Sequence, residues 1–320
     1  MWVPEVGPDD PHINQTGEYR KVCLRSCHIP QRKPFACPNT GDASICDAPS
    51  GSASCVLPDT VCHMTTSQDR LAFASTLAKS AGKVLRTVRE QNAQLRPAEL
   101  RNLGDRESQT FIAAQLEAMF PADAVLSEEA IDDKARLSRE TVWIVDPLDG
   151  TREYAEHRRD WAVHIAIWEA GRLSGVVAMP DADVLLSSHS VEQLPPRDDG
   201  PLRIAVSRSR APVLVQSVAH QLGADLVPMG SAGVKISAVV RGTVDAYVHA
   251  GGQYEWDSAA PVAVALAAGA HASRIDGSPL EYNRGDPYLP DLLVCRPELA
   301  TQLLGAIARA AKTDDGAQIV

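Results

Sequence analysis

The chain has 320 residues, of which 44% are hydrophobic, 22% charged and 5% aromatic; this globular composition excludes a disordered or collagen-like chain and suffices for two packed cores. No stretch approaches the roughly 18 apolar residues needed to span a bilayer, and the first residues lack a basic and then apolar leader, so a soluble, cytoplasmic protein is expected. A net charge of -10 repels a polyanion such as DNA, although a small phosphate can still bind where cations gather.

Residues 1–63 hold six of the seven cysteines, Cys23, Cys27, Cys37, Cys46, Cys55 and Cys62, at uneven gaps and with no period of 2 or 3.6. A zinc knuckle using them with His28 or His63 would make the chain a non-catalytic partner-binding module, but no Cys-x-x-Cys pair occurs. The segment is expected to be a disordered or spurious tail, with the working protein beginning near Met64. Thr65-Thr66-Ser67 supplies caps for a helix over Asp69–Arg89, where apolar residues recur at three and four. Leu100–Asp105 reads as a connector and Glu107–Phe120 as a second helix. Ala124–Leu126 and Thr141–Val145 read as buried strands that end in carboxylates, Glu128-Glu129 and Asp146.

Asp160–Trp168, Arg172–Met179 and Asp183–His189 come next as an antiparallel meander, and the order of helices then strands points to a layered α+β fold. The proline-rich Val191–Pro201 reads as a linker, which divides the body into an N-terminal α+β metal-binding domain, 64–199, and a C-terminal α/β domain, 200–320, that completes the site. In the second part Arg203–Val206, Ala224–Met229 and Thr243–His249 read as strands. They alternate with helices over Ala211–Leu222, Ala232–Val240 and Asp257–Ala268, and Leu299–Ala311 is a closing helix.

Asp146-Pro147-Leu148-Asp149-Gly150-Thr151 carries the most chemistry. A buried strand delivers Asp146 into a turn, and two carboxylates three apart with the Leu148 carbonyl offer hard oxygen ligands suited to Mg²⁺. Gly150 permits close backbone approach to a ligand, and a helix starting near Thr151 would favour a phosphate. An Asx-rich turn would explain one aspartate, but not two together with Glu128-Glu129. Asp257 in Glu255-Trp256-Asp257 reads equally well as a helix N-cap, and Asp105 as part of a Gly-Asp turn.

Taken in order and spacing, Gly104-Asp105, Ser127-Glu128-Glu129, the hexapeptide at 146–151 and Trp256-Asp257-Ser258-Ala259-Ala260-Pro261 resemble the inositol monophosphatase-like, lithium-sensitive, magnesium-dependent phosphatases over about residues 69–310. Thr151–Tyr154, Val206–Arg210, Gly230–Lys235 and Pro279–Asn283 are similar to the CysQ branch, the 3'(2'),5'-bisphosphate nucleotidases, and most to its actinobacterial members. The resemblance implies an αβαβα sandwich of the inositol monophosphatase and fructose-1,6-bisphosphatase type. It also implies two or three Mg²⁺ held by Glu128, Asp146, the Leu148 carbonyl, Asp149 and Asp257, with Asp105 and Thr151 orienting and activating the attacking water. The same resemblance implies that substrate contacts would fall on Glu128, Leu148, Asp149, Gly150, Thr151, Ser231, Lys235 and Asp257. Lys235, Arg208 and Arg210 are candidates for a second phosphate, against the alternative of a solvated face.

The implied reaction is hydrolysis of adenosine 3',5'-bisphosphate to AMP and phosphate, clearing a by-product of sulfate assimilation. Inositol monophosphatase or fructose-1,6-bisphosphatase activity is the rival. The partner is thus a phosphorylated small molecule, with no nucleic acid polymer and no membrane, and the resemblance also allows a homodimer. His164, where relatives often have asparagine, reads as a packed strand histidine without a role.

Overall fold

The structure, a computed structural model, describes residues 66–209 and 211–317, so the cysteine-rich segment and Arg210 lie outside it. Helix α1 (Ser67–Gln91) begins where the Thr66 hydroxyl accepts from the Asp69 amide and the Asp69 carboxylate accepts in return from the Thr66 amide. Its stripe from Leu71 through Leu85 is buried. Helix α2 (Pro97–Met119) takes in Leu100–Asp105, so the expected connector is helical instead. Pro97 opens the first turn, the Glu99 carboxylate accepts from the Arg96 amide, and Leu100 and Gly104 are buried, which together outweigh the glycine that suggested a turn. Asp105 is therefore presented from a helix.

The first sheet runs in the order of the chain. Strand β1 (Ala124–Ser127) lies parallel to β2 (Thr141–Asp149), and β3 (Ala162–Glu169), β4 (Arg172–Met179) and β5 (Val184–Ser187) continue antiparallel. A short helix, α3 (Thr151–Ala155), fills the connection from β2 to β3. The second sheet comprises β6 (Arg203–Ser207), β7 (Asp225–Met229), β8 (Ala246–Tyr254), β9 (His271–Ser273) and β10 (Tyr288–Cys295) in the order β7-β6-β8-β10-β9. Here β6 is parallel to β7 and β8, while β10 is antiparallel to β8 and β9. Helices α4 (Val213–Leu222), α5 (Ala232–Val240), α6 (Glu255–Ala267) and α7 (Ala300–Ala317) complete the fold. Strands β9 and β10 were not expected; Pro290 interrupts the alternation of β10 where its register with β8 shifts.

Three cores separate five layers. Helices α1 and α2 pack on one face of the first sheet around Trp143, Leu148 and Trp161. The alanine- and valine-rich α6, together with α5, fills the space between the two sheets. Helices α4 and α7 cover the far face of the second sheet. The architecture is the αβαβα sandwich. No helix of the described residues is long and apolar enough to cross a membrane.

The segment between β5 and β6 is pinned to the second sheet by a buried carboxylate. Asp245 is fully buried, and three arginines face it: Arg296 Nε at 3.2 Å, Arg197 Nε at 3.4 Å and Arg203 Nε at 3.6 Å. The Nε atoms of Arg197 and Arg203 are buried without a hydrogen bond, so the charge of Asp245 is what compensates them. Asp245→Ala is expected to lower the unfolding free energy by about 3–5 kcal/mol, the usual cost of stranding buried charges. An unchanged midpoint in urea would show that solvent compensates these arginines.

Candidate functional site

Strand β2 runs buried to its end and carries Asp146 and Asp149 into the middle of the sandwich. The Asp146 Oδ1 accepts from the Leu148 amide at 3.0 Å, which closes the turn and leaves Oδ2 buried without a hydrogen bond. Ser108 on α2 donates to the Pro147 carbonyl at 2.8 Å and locks the same turn to the helix that bears Asp105. Gly150 then takes φ 87°, the left-handed conformation that lets the chain reverse into α3 at Thr151. The Leu148 side chain is buried in the core beneath α1 and α2.

Two further acids come from other elements. Glu128 follows β1, and Asp257 lies in the first turn of α6, three residues after the residue that caps it. Asp257 is therefore not the N-cap; its Oδ2 accepts from the Tyr254 amide at 2.7 Å, the return half of a capping box. Crowding shows in the proton affinities. Burial and then the charges of Glu128, Asp149 and Asp257 drive the Asp146 carboxyl well above its usual range. Glu128 stands at the rim, yet the protein strips water from its inner side, and with the charge of Asp257 this pushes it up to about 7. Burial and the charge of Asp149 lift Asp257 to about 6. Asp105 is raised to about 7 by burial and by Glu129 and makes no direct hydrogen bond to Thr151 among the described residues.

Asp149 behaves differently. Its carboxylate caps α5, accepting from the Ser231 hydroxyl, from the Gly233 amide at 2.6 Å and from the Ala232 amide at 3.1 Å. Burial alone would raise this group, but the His164 ring and these donors hold it at about 2. His164 is fully buried, as a packed strand histidine should be, yet it belongs to the cluster. Its Nε2 is 3.1 Å from Asp149 and its Nδ1 is 3.9 Å from Asp146 and 3.2 Å from the Trp256 carbonyl. The register of β2 and β3 pairs His164 directly with Asp146, a neighbourhood that no motif announces. A Cβ on Gly233 would lie 1.9 Å from His164 Nε2, so glycine is required there for the histidine to reach the acids. Asp146, Asp149 and His164 bring ligand atoms within 4.8 Å of one another.

Lys235, on the first turn of α5, is buried, and its ammonium makes no hydrogen bond or ion pair among the described residues. Its ammonium lies 5.1 Å above the Tyr247 ring, and burial lowers its pKa although Asp149, Glu153 and Asp257 oppose that shift. Arg208 is engaged by Glu153 at 3.2 Å and by Glu156, and Arg210 lies outside the described residues, so of the two candidate cations described Lys235 is the one without an ion-pair partner. The site fits a divalent cation. An orphaned carboxylate oxygen and three acids held above their usual pKa by burial and mutual repulsion, in a donor set made mostly of carboxylate oxygens, call for compact positive charge.

The sequence matches the model of the inositol monophosphatase family over residues 67–312. It is 51% identical over 240 residues to a 3'-phosphoadenosine 5'-phosphate phosphatase of Mycobacterium bovis, covering 72% of this chain and 90% of that one. It is 32% identical over 197 residues to the 3'(2'),5'-bisphosphate nucleotidase CysQ of Escherichia coli, covering 58% and 80%. Among solved structures, CysQ from Bacteroides thetaiotaomicron superposes with a TM-score of 0.63 at 26% identity, over 72% of this chain and 98% of that one. Inositol monophosphatase II of Staphylococcus aureus gives 0.64 at 24%, over 74% and 94%, and so shares the fold.

Raised carboxyl pKa values mean that the folded protein binds protons more tightly than the unfolded chain. The stability these groups supply is complete below about pH 4 and is lost as pH climbs through their folded values of about 6 to 7; His164, also raised, adds to the loss above its ordinary 6.5. In chelator, the melting temperature is expected to fall between about pH 4.5 and 7.5, and Mg²⁺ should raise it more at pH 8 than at pH 5. A melting temperature that climbs across this window in chelator, or that ignores Mg²⁺ at pH 8, would contradict an acid site built for a cation.

Proposed function

The chain belongs to the inositol monophosphatase family, and from that premise we propose that it is a Mg²⁺-dependent phosphatase that removes the 3'-phosphate of adenosine 3',5'-bisphosphate, giving AMP and phosphate. The observation that carries the metal chemistry is the buried, unpartnered Oδ2 of Asp146 among acids that repel one another. Glu128, Asp146, Asp257 and the Leu148 carbonyl would hold the cations, two or three in number, with Asp149 joining them from its seat on α5. Bound Mg²⁺ supplies neutralisation of the phosphoryl oxygens and Lewis-acid activation of water.

The chain's own groups do the rest. Asp105, held at about 7, is matched to accept a proton near neutral pH from a water that the Thr151 hydroxyl positions. The water oxygen attacks phosphorus in line, the bond from phosphorus to the 3'-oxygen breaks, and that oxygen leaves with a proton as the nucleotide hydroxyl. Backbone amides at Gly150 and Thr151 grip the phosphate being transferred. Lys235 supports the nucleotide reading, because a buried ammonium without a protein partner beside the acids suits a second phosphate. Ser231 acts through Asp149, whose carboxylate it holds.

Phosphate release with Mg²⁺ from adenosine 3',5'-bisphosphate, inositol 1-phosphate and fructose 1,6-bisphosphate tests the assignment. The first is expected to give the highest kcat/KM, and a tenfold advantage for inositol 1-phosphate would overturn the nucleotide reading. Asp146→Asn is expected to lower kcat by at least about 10³-fold, about 4 kcal/mol of barrier, while the metal-free variant melts no lower than the parent, because one repelling charge is gone.

A further inference from the structure

Strand β8 ends beside the acids in an exposed group of aromatic rings. Tyr254, 45% exposed, stacks on Trp256 with centroids 4.7 Å apart and planes 10° from parallel, and Tyr288, 49% exposed, meets Tyr254 edge-on at 5.9 Å. Trp256 packs its other side against the central core. It therefore covers one face of Tyr254, and the part of the ring that Trp256 leaves uncovered keeps the residue 45% exposed.

These rings are fastened to the site. The Tyr254 amide donates to Asp257 Oδ2, and the Trp256 carbonyl faces His164. On the other side, His249 reaches the Gly252 carbonyl at 2.9 Å and lies within the field of Lys235, while Tyr288 packs on Gly252. Backbone bonds thus tie Tyr254 and Trp256 to Asp257 and His164 of the acid cluster. A half-exposed aromatic ring backed by a second ring and bonded through its amide to Asp257 offers a planar partner a stacking surface without base-specific hydrogen bonds.

We propose that Tyr254 is a specificity-determining residue whose open face stacks on the purine ring of the substrate while the phosphates lie toward the acids and Lys235. The inference deepens the nucleotide reading and rests on it. Discrimination between a nucleotide and a phosphorylated sugar or cyclitol then comes from stacking at this rim, because the acids see only the phosphate.

The test is calorimetric titration of the Mg²⁺-loaded protein with AMP and with ribose 5-phosphate, which keeps the sugar and phosphate but lacks the base. AMP is expected to bind the parent at least about tenfold more tightly. Tyr254→Ala should lose about tenfold for AMP and nothing for ribose 5-phosphate, and Tyr254→Phe should bind as the parent does. Tyr254→Leu keeps bulk without the π face and should show the same selective loss, so the test survives an unstable alanine variant. Equal losses for both ligands, or none for AMP, would overturn the proposal. Selective loss without any release of phosphate from adenosine 3',5'-bisphosphate would sink the reaction assignment and leave the stacking surface standing. Release with unaltered AMP binding would do the opposite.

Discussion

Carboxylates from β2, from the end of β1 and from the start of α6 are crowded together, Asp146 and Asp149 cut off from water, and the only protein cation that faces Asp146 among the described ion pairs is His164 at 3.9 Å. Such crowding is unfavourable in the metal-free protein, and it persists because the surrounding packing fixes each backbone independently of the acids. Strand β2 is clamped between β1 and β3, and α6 lies between the sheets with Ser258–Ala265 buried. Moving the backbone of Asp146 away from that of Asp257 would open a core. The strain is stored as raised proton affinity, and a divalent cation would release it.

The α5 N-terminus shows how the fold divides the labour among acids that look alike in sequence. Asp149 spends both oxygens on Ser231, Ala232 and Gly233, and this fastens the second sheet's helix to the turn of the first. Ser231 takes φ 51°, an uncommon backbone state for a residue with a side chain, and holds it because its hydroxyl both donates to Asp149 and accepts from Val234. His164 closes the ring by bridging Asp149 and the Trp256 carbonyl. Asp149 thus sets the distance between the halves of the site, while Asp146, Glu128 and Asp257 supply the unspent charge.

Much of this was legible in the residues, and the reasons for the gaps are physical. The layered fold came from helical period and strand order, and the hexapeptide at 146–151 declared its chemistry because its turn is local. Leu100–Asp105 misled because Gly-Asp is a turn signal that burial of Leu100 and Gly104 overrides. His164 was invisible as a site residue because its position depends on pairing between β2 and β3 across an intervening helix, and no tight hairpin fixes that register in advance. The partition between Asp149 and the other acids depends on contacts some 80 residues away in sequence, at Ser231 and Gly233.

The strand hardest to read from the sequence, β10, is also the one that shapes the aromatic rim. Leu289 pairs with Gln253 and Asp291 with Ala250, so Pro290 alone stands opposite Gly251 and Gly252. Two residues against one is a bulge; it suits a proline, which has no amide to donate, and Gly252 takes φ 81° on the opposite strand. A bulge adds twist and redirects the chain beyond it, which on β8 means Tyr254 and the start of α6. The same strand is anchored at its other end by Asp245 among the three arginines, where the ladder with β10 is regular from Ala246 to Ala250. A strand with a regular ladder at its foot and a bulge near its tip thus leads into half-exposed aromatic rings at Tyr254 and, across the ladder, Tyr288, three residues or fewer from the bulge and next to Asp257.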